Sequence, residues 1–196
     1  MEKVEAWSDE ASHHVHEDLT ERTQSSGIFQ LADLPDLAAD ERALLDQHTA
    51  LYEAVAGSAF LARNSPMAAW RARGQEFDYT LGPGLRDLAD RTGLDAALVV
   101  IGTDHISSAG RKAAMVMGTV LAALAGVAIA PQGGIAFLSV GIVDLRTGNL
   151  LWFDTEQSGS ASLRDKQAVK NMLDKMFASY PGAPGVAPAK AQASNR

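Results

Sequence analysis

No cysteine occurs among the 196 residues. This excludes disulfides, thiolate metal sites and cysteine nucleophiles. It leaves the compartment open, because cysteine-free proteins occur in reducing and oxidising surroundings alike. An excess of positive charge is also missing. The formal net charge of −7 favours solubility and opposes non-specific attraction to nucleic acid or to anionic membrane surfaces, so no nucleic-acid partner is expected. The opening segment MEKVEAWSDEASHHVHEDL has no apolar h-region and no small-residue cleavage site. Two expectations follow for localisation: cytoplasmic residence, or a periplasmic chain read after removal of its export signal.

Signatures of catalysis are missing too. No G-x-S-x-G nucleophile elbow occurs. The stretch ALVVIGTDHISSAGRKAA has the outline of a phosphate loop, but seven residues separate Gly102 from Gly110, Arg111 precedes Lys112, and Ala113 stands where a hydroxyl would bind magnesium. A helix start near Ser108 with Arg111 and Lys112 can still attract an anion, so an anion or nucleotide site on the turn from Asp104 to Lys112 is an alternative reading. Asp104, His105, Ser107 and Ser108 are adjacent in sequence, and a triad needs groups that converge in space. Asp144, Asp154 and Glu156 are candidate carboxylates at strand ends, where acidic residues are usually solvated. His13, His14, His16 and Glu17 are ligand types for zinc or copper, with His14 and His16 sharing one face of a strand. The remaining histidines, His48 and His105, form no second cluster. Neither a metal nor a cofactor is expected, and the chain does not read as an enzyme.

What is present reads as one domain with tails. Hydrophobic residues make up 46% of the chain, an ordinary share for a globular protein. Residues 1–27 are polar and lack a clear period, and are expected to form a flexible arm. Residues 28–180 are expected to form a single α+β domain, and 181–196, rich in Pro, Ala and Gly, a disordered tail. From Asp40, which can cap it, a helix runs through Leu44, Leu45, His48, Leu51, Tyr52 and Val55 to a stop at Gly57. A short helix is expected from Asn64 or Ser65 to Gly74, then an extended Phe77–Tyr79–Leu81. A short amphipathic helix carries Leu85, Leu88 and Ala89 and ends at Gly93. The continuous apolar run DAALVVIGT reads as a central, doubly buried strand. IAFLSVGIVDL and NLLWFDTE read as a hairpin closed by RTGN. The last helix carries Ala168, Val169, Met172, Leu173, Met176 and Phe177 on one stripe, with Ser162 as its cap and Arg164 and Asp165 as capping and salt-bridge groups.

Between the lone strand and the hairpin lies AAMVMGTVLAALAGVAIA, residues 113–130, eighteen positions without a charge. The length just reaches the roughly 17 to 25 residues that span a bilayer. Seven of the eighteen are alanine and two are glycine, so the drive per residue is low. Pro131 and two glycines end the stretch with no polar flank, which disfavours a span. A core helix, an interface element buried against another subunit, and membrane insertion are the three readings.

The hairpin VGIVDLRTGNLLWFD, followed by a helix start at LRD, resembles a family of bacterial envelope lipoproteins. The segment FDYTLGPGLRDLADRTGLDAALVVIGTD is similar to the upstream half of the same pattern. Together these cover roughly residues 76–180. More distantly the pattern resembles the fold shared by the curli-secretion lipoprotein, the penicillin-binding-protein activator lipoproteins and the amino-terminal domain of TolB. The resemblance implies a small mixed sheet with helices and a non-enzymatic, periplasmic or outer-membrane-associated module that binds partner proteins or self-assembles. In the curli channel, segments inserted between strands of such a domain cross the outer membrane. The usual lipobox cysteine is not in this chain, so anchoring through a lipid implies a residue removed from it. The expected contacts are a protein partner or a second copy, through the insert 113–134 (Arg111 and Lys112 at its edge; Met117, Leu121 and Leu124 within it) and the turn carrying Arg146 and Asn149.

Overall fold

The computed structural model describes residues 5–26, 30–64, 77–106, 134–159 and 161–181. The architecture is α+β. In chain order the elements are α1 (Glu5–Ser26), α2 (Ala39–Asn64), α3 (Arg86–Thr92), β1 (Ala96–Ile106), β2 (Gly134–Asp144), β3 (Leu150–Ser158) and α4 (Lys166–Phe177). The strands form one three-stranded sheet in the order β1-β2-β3. It is antiparallel, not mixed. Each strand returns beside its predecessor, and no parallel pair requires a crossover.

The sheet order moves the centre. β2, not β1, is the middle strand, and Ala136, Leu138, Val140, Ile142 and Val143 are buried along it on both faces. Val99, Val100 and Ile101 of β1 are only partly buried. Both runs are continuously apolar. A continuous run identifies a covered strand, but it does not say which strand has neighbours on both sides.

The chain divides into two compact units. One holds the described residues of Met1–Gln30, Gly102–Leu138 and Glu156–Arg196, the other those of Leu31–Ile101 and Ser139–Thr155. In the first, α1 packs against α4. α4 has a clean stripe, and Val169, Met172, Leu173, Met176 and Phe177 are buried. Its cap is Asp165, whose carboxylate accepts from the N–H groups of Gln167 (2.9 Å) and Ala168 (3.2 Å). Ser162 is not the cap; its hydroxyl donates instead to Asp104 on β1 at 2.6 Å.

The arm expected at residues 1–27 is a helix from Glu5 to Ser26. Among its described side chains, Val15 and Leu19, one turn apart, are the buried apolar ones. Such a helix gains its stability from tertiary packing, not from its own pattern. Two ion pairs reinforce the packing. Lys166 pairs with Glu17 at 2.6 Å, and Arg22 bridges buried Asp18 (2.8 Å) to Asp174 (2.9 Å) while its guanidinium lies over the Phe177 ring.

In the second unit, Tyr52, Ala56 and Ala59 of α2 pack with Leu81, Val143, Leu150 and Phe153. α2 does not stop at Gly57. It continues to Asn64 because its buried face continues through Ala59 and Ala62, which offsets the ~1 kcal/mol cost of a helical glycine. The helix begins at Ala39, one residue ahead of the expected cap, and the Glu41 carboxylate accepts from the Ala38 N–H at 2.9 Å. This is half of a capping box. A second cluster joins Leu85, Leu88 and Ala89 around α3 to Leu145 after β2. Gly93 ends α3 as its sequence implies. Asn64 ends α2, and the rest of the short helix expected up to Gly74, the insert 113–130 and the tail from 182 lie outside the described residues.

Candidate functional site

The hairpin turn is the best-built surface feature. β2 ends at Asp144, and one oxygen of its carboxylate accepts three bonds: from the Arg146 N–H (2.9 Å), the Thr147 N–H (2.7 Å) and the Thr147 hydroxyl (2.9 Å). The Thr147 N–H is the main reason the Asp144 carboxyl is held below the usual carboxylate range. The turn closes through Gly148 N–H to Asp144 C=O at 2.8 Å and Asp144 N–H to Asn149 C=O at 2.9 Å. Gly148 has φ +72°, and a Cβ there would overlap the Gly82 carbonyl. Only glycine meets both demands.

Three neighbours clamp this turn. Residues 79–81 run beside it and pair through a single antiparallel bridge. The Leu150 N–H donates to Tyr79 C=O (2.9 Å), the Leu81 N–H donates to Gly148 C=O (2.8 Å), and Thr80 bridges Asn149 in antiparallel register. From α3, Asp90 pairs with the Arg146 guanidinium, and Arg86 Nε donates to the Arg146 carbonyl at 3.2 Å. Ahead of β1, the Asp95 carbonyl accepts from the Leu145 N–H at 3.0 Å. Arg146, Thr147 and Asn149 stay exposed on this rigid frame. A carboxylate already accepting three bonds is a poor general base, whereas exposed polar side chains on a fixed backbone suit recognition.

Of the expected contact residues, Arg146 and Asn149 therefore sit together on the turn. Arg111, Lys112, Met117, Leu121 and Leu124 lie outside the described residues. The other candidate carboxylates are dispersed, each with a structural partner. Asp154 pairs with Arg63 at 3.6 Å, and Glu156 accepts from Lys175 at 2.5 Å. Asp104 accepts from the Ser162 hydroxyl and from the Leu163 N–H (2.9 Å), tying β1 to the segment before α4. The phosphate-loop outline beyond Asp104 falls largely outside the described residues.

The histidine cluster lies on helix α1, not on a strand. His14 and His16, two positions apart, do not share a helix face. His13 and His14 have ring centroids 6.0 Å apart. Among the described residues, no group of three or more His, Cys, Asp and Glu is placed to hold a metal ion.

One polar pair has no counterpart in the sequence reading. The Tyr52 hydroxyl on α2 and the Ser139 hydroxyl on β2 lie 3.1 Å apart, both buried. Two residues on, on the same strand face, Gly141 leaves the space that the Tyr52 ring fills; a Cβ there would overlap it. Burial pushes the Tyr52 phenol up to about 12, with the Ser139 hydrogen bond pulling the other way. The sequence signal was a Ser-x-Gly in a buried strand, which invites an aromatic ring from a facing element.

No family model matches the chain, and no curated protein and no solved structure matches it. Among the described residues, no helix is long and apolar enough to cross a membrane.

Proposed function

We propose that this chain is a cell-envelope module that works by protein–protein contact, including contact with copies of itself. One observation carries the reading. Among the described residues, the large apolar side chains left exposed, Leu34, Leu51, Leu61 and Leu151, all belong to the unit of Leu31–Ile101 and Ser139–Thr155. A single exposed leucine needs no explanation, but several confined to one compact unit fit a contact surface. The rigid turn at Arg146–Asn149 supplies polar groups of the kind found at an interface rim. The uncharged stretch 113–130 and the resemblance to envelope lipoproteins support the same reading, including a periplasmic, outer-membrane-associated location.

Light scattering coupled to size-exclusion chromatography without detergent tests it. The expected result is a mass above the 20.7 kDa of one chain. Leu121→Glu, within the uncharged stretch, is expected to lower that mass while the protein stays folded. Turnover of a small substrate that depends on one defined side chain overturns the reading.

A further inference from the structure

α2 has two contrasting faces. Tyr52, Ala56, Ala59 and Ala62 are buried. On the other side Leu51, Ala54, Ser58 and Leu61 are exposed, at successive spacings of three, four and three. That is the spacing of a helix–helix seam. The leucines are far from covered, with Leu51 42% and Leu61 59% exposed. Ser58 adds no unsatisfied polarity, because its hydroxyl donates to the Ala54 carbonyl at 2.8 Å. From Gln47 to Ala62 the sole charged residue is Glu53, which stands about 200° round the helix from Leu51.

The row is its own complement. Large, small, small, large at three-four-three spacing reads the same from either end. Two copies of α2 laid antiparallel about a two-fold axis at the level of residue 56 bring each Leu51 beside the other copy's Leu61. Each Ala54 then meets the other's Ser58. The small residues let the helix axes approach in the middle, and the leucines close both ends. An isologous contact needs such a self-complementary surface. Charge selects the antiparallel sense. Apart from Glu53, the acidic residues of α2 lie toward its start, with Asp40, Glu41 and Asp46 in its first two turns. A parallel pair sets these against each other, whereas an antiparallel pair about residue 56 carries them past Asn64, the end of the partner's α2, and aligns the helix dipoles favourably.

We infer that the outer face of α2, through Leu51, Ala54, Ser58 and Leu61, is a two-fold, antiparallel docking surface for a second copy of this chain. The inference rests on the protein-contact reading above and narrows it to one element. A seam of three helical turns is small beside the ~1,600 Å² of a standard interface, so the contact is weak and concentration-dependent.

Because the chain has no cysteine, an introduced thiol is unique. Full-length Ala54→Cys and Ser58→Cys proteins are mixed and oxidised, and the disulfide-linked dimers are resolved by mass spectrometry. The 54–58 cross-link is expected in several-fold excess over 54–54 and 58–58, since only the former falls near the ~6 Å Cα separation that a disulfide needs. Adding Leu61→Glu, or independently Leu51→Lys, is expected to abolish the excess with an unchanged circular dichroism melt. Absence of cross-linking in the folded mixture, or a 54–58 yield no greater than random pairing of two equimolar thiols gives, overturns the inference. An oligomer seen by light scattering that Leu61→Glu leaves intact overturns the α2 contact alone and leaves the protein-contact reading standing. A wild type that is monomeric at every concentration overturns both.

Discussion

At Gly148 two requirements coincide: a left-handed backbone and a Cβ-free approach to the Gly82 carbonyl. Gly148→Ala is therefore expected to lower stability by about 2 kcal/mol or more, from left-handed strain plus steric overlap, read as a lower urea midpoint. Asp144 holds the other side of the same turn. Its folded pKa lies below its unfolded value, mainly through the Thr147 N–H. Its contribution is present above the unfolded value near pH 4 and is lost as pH falls through the folded value. A pH series of melts is expected to show this loss in wild type and a smaller one in Asp144→Asn. Tyr52→Phe leaves the buried Ser139 hydroxyl without its partner and is expected to cost about 1 kcal/mol in denaturant unfolding. The turn was legible in the sequence because Asp144, Thr147 and Gly148 act on their own neighbours. The Tyr52–Ser139 pair was not, because its members stand 87 positions apart and only the fold brings them together.

Among the elements, α4 and the hairpin follow from local pattern: a strong apolar stripe in one, turn chemistry between two apolar runs in the other. α1 does not. Its few apolar residues are set among many polar ones, and its partner α4 lies far along the chain. Its hold on α4 is partly ionic, so it should respond to acid and salt. Asp174 is held below the usual carboxylate range chiefly by its hydrogen bond from Arg22, and Glu17 likewise by Lys166. Both folded values are depressed, so this stabilisation is present above about pH 4 and fades as pH falls through the folded values. Salt at about 1 M is expected to weaken it, because the pairs are partly exposed. Asp144, held mainly by neutral donors, is expected to change little in the same salt. Arg22→Ala is expected to cost about 2 kcal/mol, since it leaves the Asp18 carboxylate buried without its cation and uncovers Phe177. Hydrogen exchange is expected to show faster opening of α1 in that variant, with β2 unchanged.

For the whole molecule, the α+β class was legible because the order of periodic segments is a property of the chain. The position of the central strand was not. Two continuous apolar runs compete for it, and only pairing decides that β2 takes the middle and β1 an edge. The proposed contact surface was legible only in part. Arg146 and Asn149 were expected from turn chemistry, while the outer face of α2 was hidden. Its alanines and leucines read equally well as buried stripe or exposed seam until the buried face was known. If this chain acts through self-contact, sedimentation equilibrium of the wild type must show it. Over about 10 μM to about 1 mM, where weak contacts form and dissociate, the weight-average mass is expected to rise from 20.7 kDa toward at least twice that value. A mass that stays at 20.7 kDa throughout contradicts the account.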